Sequence, residues 1–300
     1  MICWELTKAL LKKGAKMVSE RVKTKFVILT RGRTGSTAIV DEINQHQNIS
    51  CKQEVFVSLR EGTPVYSLYQ KFGTDFSKYG FNREWIPTFQ LWSKQFTKGS
   101  FFSRWSVFKK IQYLFGGHKV NKYLDELENH GANLGCSVLG FKLLEHQVSE
   151  IPNFMSILKQ RNYKVIYLER KNVVRQVLSG VIANKRKKFN AKNYVSDGQS
   201  YDLDLEKFKA LIQGELSAVA FQKKMVKAHG FDSLLINYED FLNDRDAFFQ
   251  KLFAFLGVEN ILPENSNFSI MIPSVKDVVK NFDEFSECMD EMGLRECIEN

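Results

Sequence analysis

A short segment of the chain concentrates side chains that bind anions. Residues 31–37 read RGRTGST, with two arginines, two glycines and three hydroxyl side chains. Glycine allows a ligand to approach the backbone closely, and guanidinium and hydroxyl groups donate hydrogen bonds to phosphate oxygens. This composition favours binding of a phosphate group.

The neighbouring residues indicate how the segment is positioned. Residues 26–29, FVIL, are typical of a buried strand, and helical periodicity of apolar residues begins at Ala38. The first N–H groups of a helix lack intrahelical partners, and the helix dipole adds partial positive charge there. A strand that enters a helix through residues 31–37 therefore forms an anion site. A glycine-rich turn with two solvated arginines is the alternative interpretation.

The loop differs from the Walker A motif, G-x-x-x-x-G-K-[ST]. In that motif the lysine contacts the β- and γ-phosphates and the hydroxyl binds magnesium. Here Gly32 and Gly35 are closer together, and no lysine precedes Ser36. The spacing favours a phosphate ester over a magnesium–nucleoside triphosphate.

A second segment repeats the order of strand, polar turn and helix. Residues 165–168, VIYL, predict another buried parallel strand, and Arg170 follows its carboxyl end. Asn172 is suited to cap the next helix, which carries Ser179 on about its third turn. Ligands of open α/β sheets bind beyond the carboxyl ends of the strands. We therefore expect residues 31–37 and Arg170 to face one crevice.

Together the two segments resemble the sulfotransferases that use 3′-phosphoadenosine 5′-phosphosulfate (PAPS). In that family the first loop holds the 5′-phosphosulfate, and an arginine and a serine of the second segment hold the 3′-phosphate. The resemblance implies that Arg170 and Ser179 bind the 3′-phosphate. It assigns the 5′-phosphosulfate to the loop residues Arg33, Thr34, Gly35, Ser36 and Thr37. Arg31 is also a candidate for donor binding, because it adds a positive charge to the same loop.

The spacing within the second segment indicates which group of sulfotransferases the chain resembles. Ser179 lies nine positions after Arg170, a pattern similar to bacterial carbohydrate sulfotransferases of the trehalose and nodulation-factor type. Residues 140–143, 234–241 and 253–258 resemble later family segments in the same order. The resemblance thus extends over about residues 25–258.

The resemblance implies transfer of a sulfuryl group from PAPS to a hydroxyl of a carbohydrate or glycolipid, without a metal. Such an in-line displacement depends on positioning and charge stabilisation, and a base must accept the hydroxyl proton. Glu54 is the candidate base, since family members carry a glutamate in a comparable segment. Arg33 would stabilise charge on the leaving phosphate. His46 is the rival base, because its ordinary pKa is near neutrality.

Several alternatives remain open at the level of sequence. The chain could be a P-loop-like kinase for a small metabolite, or a nucleotide- or polyanion-binding protein without catalysis. Lys142, Glu145 and His146 follow or end another apolar run. They could contact donor or acceptor, or simply be polar residues at a strand end.

The alternation of strand and helix patterns predicts an α/β fold with a doubly wound, P-loop-like parallel sheet. The chain of 300 residues is 44% hydrophobic, and its five prolines form no linker. We therefore predict one domain, with a basic amphipathic segment at 1–23 and an aromatic-rich helical insert at 59–133. The insert is expected to pack on the core, and an acceptor lid is the alternative.

Charge and cysteine content restrict partners and location. The net charge is +9, and residues 185–188 read KRKK. This run is interpreted as a solvated helix end or as an attractor for anionic ligands; nucleic acid is disfavoured because no binding module accompanies it. The apolar run within segment 1–23 is too short to span a bilayer, but the segment suits contact with an anionic membrane surface. Five scattered cysteines and no secretory signal predict a cytoplasmic protein with reduced thiols and no metal site.

Overall fold

The computed structural model describes residues 22–57, 86–94, 107–187, 198–270, 272 and 274–299. Strands and helices alternate through most of the described chain. In order they are β1 (Thr24–Thr30), α1 (Ser36–Ile43), β2 (Ile49–Lys52), α2 (Phe89–Lys94), α3 (Val107–Asn133), β3 (Val138–Leu144), a 3-10 turn (Glu145–Gln147), α4 (Phe154–Gln160), β4 (Tyr163–Glu169), α5 (Val173–Arg186), α6 (Leu205–Ala228), β5 (Ser233–Asn237), α7 (Tyr238–Asn243), α8 (Arg245–Leu256), α9 (Val275–Val278), α10 (Phe282–Glu291) and α11 (Glu296–Glu299).

The strands form one sheet in the order β2-β3-β1-β4-β5, and each neighbouring pair is parallel. Strand β1 is central, and its residues 26–29 are fully buried. A central parallel strand is covered on both faces, which explains its continuous apolar run. This arrangement confirms the predicted α/β fold with a central parallel sheet.

Helices cover both faces of the sheet. Val27 and Leu29 point into a core formed with α3 and α4, whereas Phe26 and Ile28 point into a core formed with α1 and α8. Alternate residues of a strand face opposite sides, so β1 contributes to both cores. The sheet is therefore doubly wound, as predicted.

A third apolar cluster holds α5 in place. Val174 and Leu178 of α5 pack with Phe208 of α6 and with Phe285 and Met289 of α10. Since α5 carries Ser179, this cluster fixes one wall of the crevice predicted from the sequence.

The described part of the predicted insert packs on the core. Trp92 of α2 and Tyr123 of α3 are buried, and Phe56, which follows β2, contacts the Tyr123 ring edge-on. Most of the aromatic stretch, residues 58–85 and 95–106, lies outside the described residues, as do residues 1–21 of the predicted amphipathic segment. The division into one domain with these two additions stays a prediction.

None of the described helices combines enough length with enough apolar character to cross a bilayer.

Candidate active site

The loop between β1 and α1 is shaped by two residues in the left-handed conformation. Arg33 has φ 67°, and Gly35, the N-cap of α1, has φ 71°. A non-glycine residue at positive φ is uncommon and costs free energy, and such residues cluster at functional sites. The loop therefore stores local strain next to the first turn of α1, where backbone N–H groups face an incoming anion.

Two features of the structure restrict position 35 of the loop to glycine, its positive φ and the close approach of Tyr238. A Cβ built there would lie 2.2 Å from Cε2 of Tyr238, in addition to the positive φ. At Gly32, by contrast, an added Cβ meets nothing within 4 Å. The loop thus contains one glycine with no room for a side chain, Gly35, and one with room, Gly32, which makes Gly32 a suitable control.

We expect Gly35→Ala to destabilise the fold by about 3 kcal/mol, because the methyl group adds left-handed strain and displaces a buried ring. Gly32→Ala is the control and is expected to change stability by less than about 1 kcal/mol. Denaturant unfolding of both variants measures the difference. Equal stability of the two would contradict the close contact between Gly35 and Tyr238.

Thr34 and Arg31 brace the loop from within. Thr34 Oγ1 lies 2.6 Å from Thr30 Oγ1 and donates to the Arg31 carbonyl oxygen at 3.1 Å. The Arg31 guanidinium forms a bidentate pair with Glu215 of α6, with Nε–Oε1 at 3.0 Å and Nη2–Oε2 at 2.9 Å. This hydrogen bond raises the pKa of Arg31.

These contacts give Arg31 a structural partner as well. Its guanidinium is paired with Glu215 and links the loop to α6. The donor contact assigned to Arg31 stays a prediction. Glu215 also accepts from Gln176 of α5, whose Nε2 donates to the Gly32 carbonyl oxygen as well, each at 2.9 Å. The Thr34 side chain is likewise internal, which leaves only its backbone for the predicted phosphosulfate contact.

The structure brings the two predicted anion-binding segments together. Arg33 Nε donates to Ser179 Oγ at 3.0 Å, and Arg170 Nη1 donates to the Arg33 carbonyl oxygen at 3.2 Å. Asn172 caps α5 by accepting from the Arg175 N–H, as its position in the sequence predicted. Arg33, Arg170 and Ser179 thus meet at the carboxyl edge of β1 and β4.

Arg170 is the most exceptional side chain of this group. Its Nε is buried and has no hydrogen-bond partner, and its guanidinium carbon lies 4.7 Å above the centre of the Tyr238 ring. Burial lowers the pKa of Arg170; burial and then the nearby Arg170 charge lower the pKa of Arg33. Two guanidinium groups held in this way provide strong positive potential for an anion.

A second cluster lies on the other side of the loop. Lys142 of β3 is buried, and its Nζ contacts Glu54 Oε1 at 2.8 Å and Thr37 Oγ1, on the first turn of α1, at 3.2 Å. Gln147 Nε2 donates to the other oxygen of Glu54 at 2.8 Å. Strand β3 lies between β1 and β2, so Glu54, which follows β2, reaches the loop through Lys142.

His46 does not reach this site. It lies beyond the C-terminal end of α1, whose eight residues rise about 12 Å from the loop. The ring is buried, with Nε2 3.2 Å from the Glu259 carbonyl oxygen and Nδ1 accepting from the Asn48 N–H. The structure therefore does not bring His46 to the loop, since Nε2 contacts the segment that begins at Glu259 and Nδ1 contacts the turn after α1.

The basic run 185–188 was interpreted as a solvated helix end or as an attractor for anionic ligands. Lys185 Nζ and Arg186 Nη2 donate to the carbonyl oxygens of Asp202 and Gln199, so this part of the basic run binds the chain at 199–202; Lys188 lies outside the described residues.

Sequence reasoning left several contributors unassigned or missed them. Lys142 was noticeable in the sequence because it is a lysine within an apolar run. It was one of three residues, with Glu145 and His146, whose contact with donor or acceptor was left open. Gln147, Gln176 and Glu215 carry no local signal, because their partners are distant in sequence. Tyr238 was noted only as part of a family-like segment.

The structure is thus an α/β protein in which Arg33, Arg170 and Ser179 meet at the carboxyl ends of two central parallel strands. In the part of the chain that the structure describes, no group of three or more His, Cys, Asp or Glu side chains is placed to hold a metal ion.

The solved structures that are similar to this chain include two bacterial sulfotransferases. A sulfotransferase from Alicyclobacillus acidocaldarius is 15% identical with a TM-score of 0.44, covering 92% of this chain and 96% of that chain. Sulfotransferase STF9 from Mycobacterium avium is 10% identical with a TM-score of 0.39, covering 95% of this chain and 80% of that chain. No protein-family model and no curated protein matches the sequence.

Proposed function

We propose that this protein is a PAPS-dependent sulfotransferase that acts on a hydroxyl of a carbohydrate or glycolipid. The observation that carries the proposal is the buried, unpartnered Nε of Arg170, whose guanidinium donates to the Arg33 carbonyl oxygen while Arg33 donates to Ser179. An unsatisfied buried N–H is costly, and a phosphate oxygen would satisfy it. The sequence resemblance supplies the identity of the donor.

The arrangement suits a nucleotide with two separate phosphate groups. Arg170 and Ser179 would hold the 3′-phosphate, with Arg33 next to both. The 5′-phosphosulfate would lie on the first turn of α1, where Ser36 and Thr37 begin the helix. A magnesium–triphosphate is disfavoured, because the loop carries no Walker lysine at the position before Ser36.

The acceptor side of the site follows from the Glu54 cluster. The acceptor oxygen attacks sulfur, the bond from sulfur to the bridging oxygen of the 5′-phosphate breaks, and Glu54 takes the hydroxyl proton. The products are a sulfate ester and adenosine 3′,5′-bisphosphate (PAP). Lys142, which contacts Glu54 and Thr37, would share with Arg33 the charge that develops on the bridging oxygen.

Calorimetric titration of the chain with PAP, followed by transfer assays with labelled PAPS and a panel of carbohydrates and glycolipids, tests the proposal. We expect PAP to bind without added metal and label to appear in a hydroxyl acceptor. Absence of PAP binding would refute the proposal. Magnesium-dependent ATP turnover would instead indicate a kinase, and PAP binding without transfer to any acceptor would indicate a binding module.

A further inference from the structure

The ring of Tyr238 lies between the two halves of the proposed donor site. One edge contacts the backbone of Gly35, since a Cβ at that position would lie 2.2 Å from Cε2 and 2.4 Å from Cδ2. One face lies under the Arg170 guanidinium, 4.7 Å from ring centre to Cζ. A single side chain therefore touches both the loop and the arginine that follows β4.

Arg170 has few other restraints. Its Nη1 donates to the Arg33 carbonyl oxygen, and its buried Nε has no partner. A guanidinium within about 6 Å of an aromatic centroid is attracted by the negative face of the ring. The Tyr238 ring is thus the main surface that keeps the guanidinium plane in position when no anion is bound.

The residues around Tyr238 make it a rigid support. The side chain is 9% exposed and packs in the core shared by α1 and α8, with Phe241 as an aromatic neighbour. The next residue, Glu239, accepts from the backbone N–H groups of Lys171 and Asn172, each at 3.0 Å. The start of α7 therefore contacts the turn that carries Arg170 in two ways, through the Tyr238 ring and through the Glu239 carboxylate.

We propose that Tyr238 is a positioning residue that sets the separation between the anion loop and Arg170, and so selects nucleotides with a 3′-phosphate. This inference rests on the proposed function, because the PAPS-type donor is the ligand whose two phosphate groups would bind the loop and Arg170. A nucleotide with only a 5′-phosphate uses the loop but not Arg170. The contribution of Tyr238 is therefore specific to the 3′-phosphate.

The test is the ratio of affinities for PAP and AMP, measured by calorimetry on the full chain. Tyr238→Leu removes the ring face and is expected to weaken PAP binding about tenfold, with AMP affinity changed less than about twofold. Tyr238→Phe keeps the ring and is expected to keep the wild-type ratio. Thermal melting of each variant reports any loss of folding.

A second substitution separates ring electrostatics from packing. Pentafluorophenylalanine at position 238 preserves the ring shape but removes the negative face, so the PAP-to-AMP ratio is expected to fall several-fold relative to Tyr238→Phe. This comparison also decides the matter if Tyr238→Leu does not fold. An unchanged ratio, or equal losses for PAP and AMP, would overturn the inference and leave the proposed function intact. Failure of the wild-type chain to bind PAP would instead refute the proposed function itself.

Discussion

An Arg170→Ala variant is expected to bind PAP about 100- to 1,000-fold more weakly than the wild-type chain. Removing one partner of a buried, charged hydrogen bond typically costs several kcal/mol, and each 1.4 kcal/mol or so is a factor of ten in affinity. Arg170 meets this condition because its Nε is buried with no partner in the protein. Calorimetry with PAP on both proteins measures the effect.

Folding of the Arg170→Ala variant is expected to change little, within about 1 kcal/mol. The substitution loses the contacts with Tyr238 and the Arg33 carbonyl oxygen but also removes a buried cation, whose burial lowers its pKa. A buried arginine without a partner lowers the stability of the protein without ligand, and binding of the ligand restores that stability. The wild-type chain should therefore gain more thermal stability from PAP than the variant does.

Two variants control for this result. Lys227→Ala removes one exposed positive charge at the last turn of α6, which leads to the start of β5 and thus to the opposite edge of the sheet. It is expected to bind PAP as the wild type does. Arg170→Lys keeps the charge but loses the planar guanidinium, and we expect intermediate affinity. Wild-type affinity in Arg170→Ala would show that the second segment does not hold the 3′-phosphate.

The second large effect is expected at Glu54. Glu54→Gln should lower the turnover of sulfuryl transfer by about 100- to 10,000-fold, the range typical of a general base, while PAP affinity changes little. The amide keeps the shape of the side chain and its contact with Gln147, but it does not accept a proton. Assays with saturating PAPS at neutral pH give the turnover, and calorimetry gives the affinity.

Because Glu54 lies beside Lys142, the Glu54→Gln experiment needs a control for stability and a control for the change of charge. Lys142 has a side chain only 5% exposed, and its Nζ lies 2.8 Å from Glu54 Oε1. Loss of the carboxylate leaves this cation with Thr37 as its other partner, so some loss of stability is expected and melting must be recorded. Glu150→Gln makes the same charge change at an exposed position after the 3-10 turn and should leave turnover unchanged. Full turnover of Glu54→Gln at neutral pH would refute Glu54 as the base.

The local elements of the site follow from sequence patterns alone. The apolar run 26–29, the glycines of the loop and the periodicity after Ala38 are short-range signals, and the structure has a strand, a loop and a helix there. Arg170 after β4 and Asn172 as the cap of α5 were predicted in the same way. Hydrophobic periodicity and capping depend on neighbours along the chain, which is why they can be read without the fold.

The partners of the charged side chains were decided only by the tertiary structure. Arg31 and Glu215 are 184 positions apart, and their pair depends on how α6 packs beside the loop. Lys142 reaches Thr37 because β3 lies directly beside β1, and the direction of α1 places His46 beyond the end of the helix that is far from the loop. A sequence that contains several cations does not indicate which of them is neutralised.

The chain's sequence by itself thus determined that a strand, a loop rich in glycine and arginine and a helix follow one another, and that Arg170 follows a second strand. The tertiary structure decided the partners of these cations: Arg31 is paired with Glu215, while Arg170 is stacked on Tyr238 with an unpartnered Nε. The physical reason is that electrostatic partners are chosen by packing across the strand order, over distances in sequence that no local pattern records.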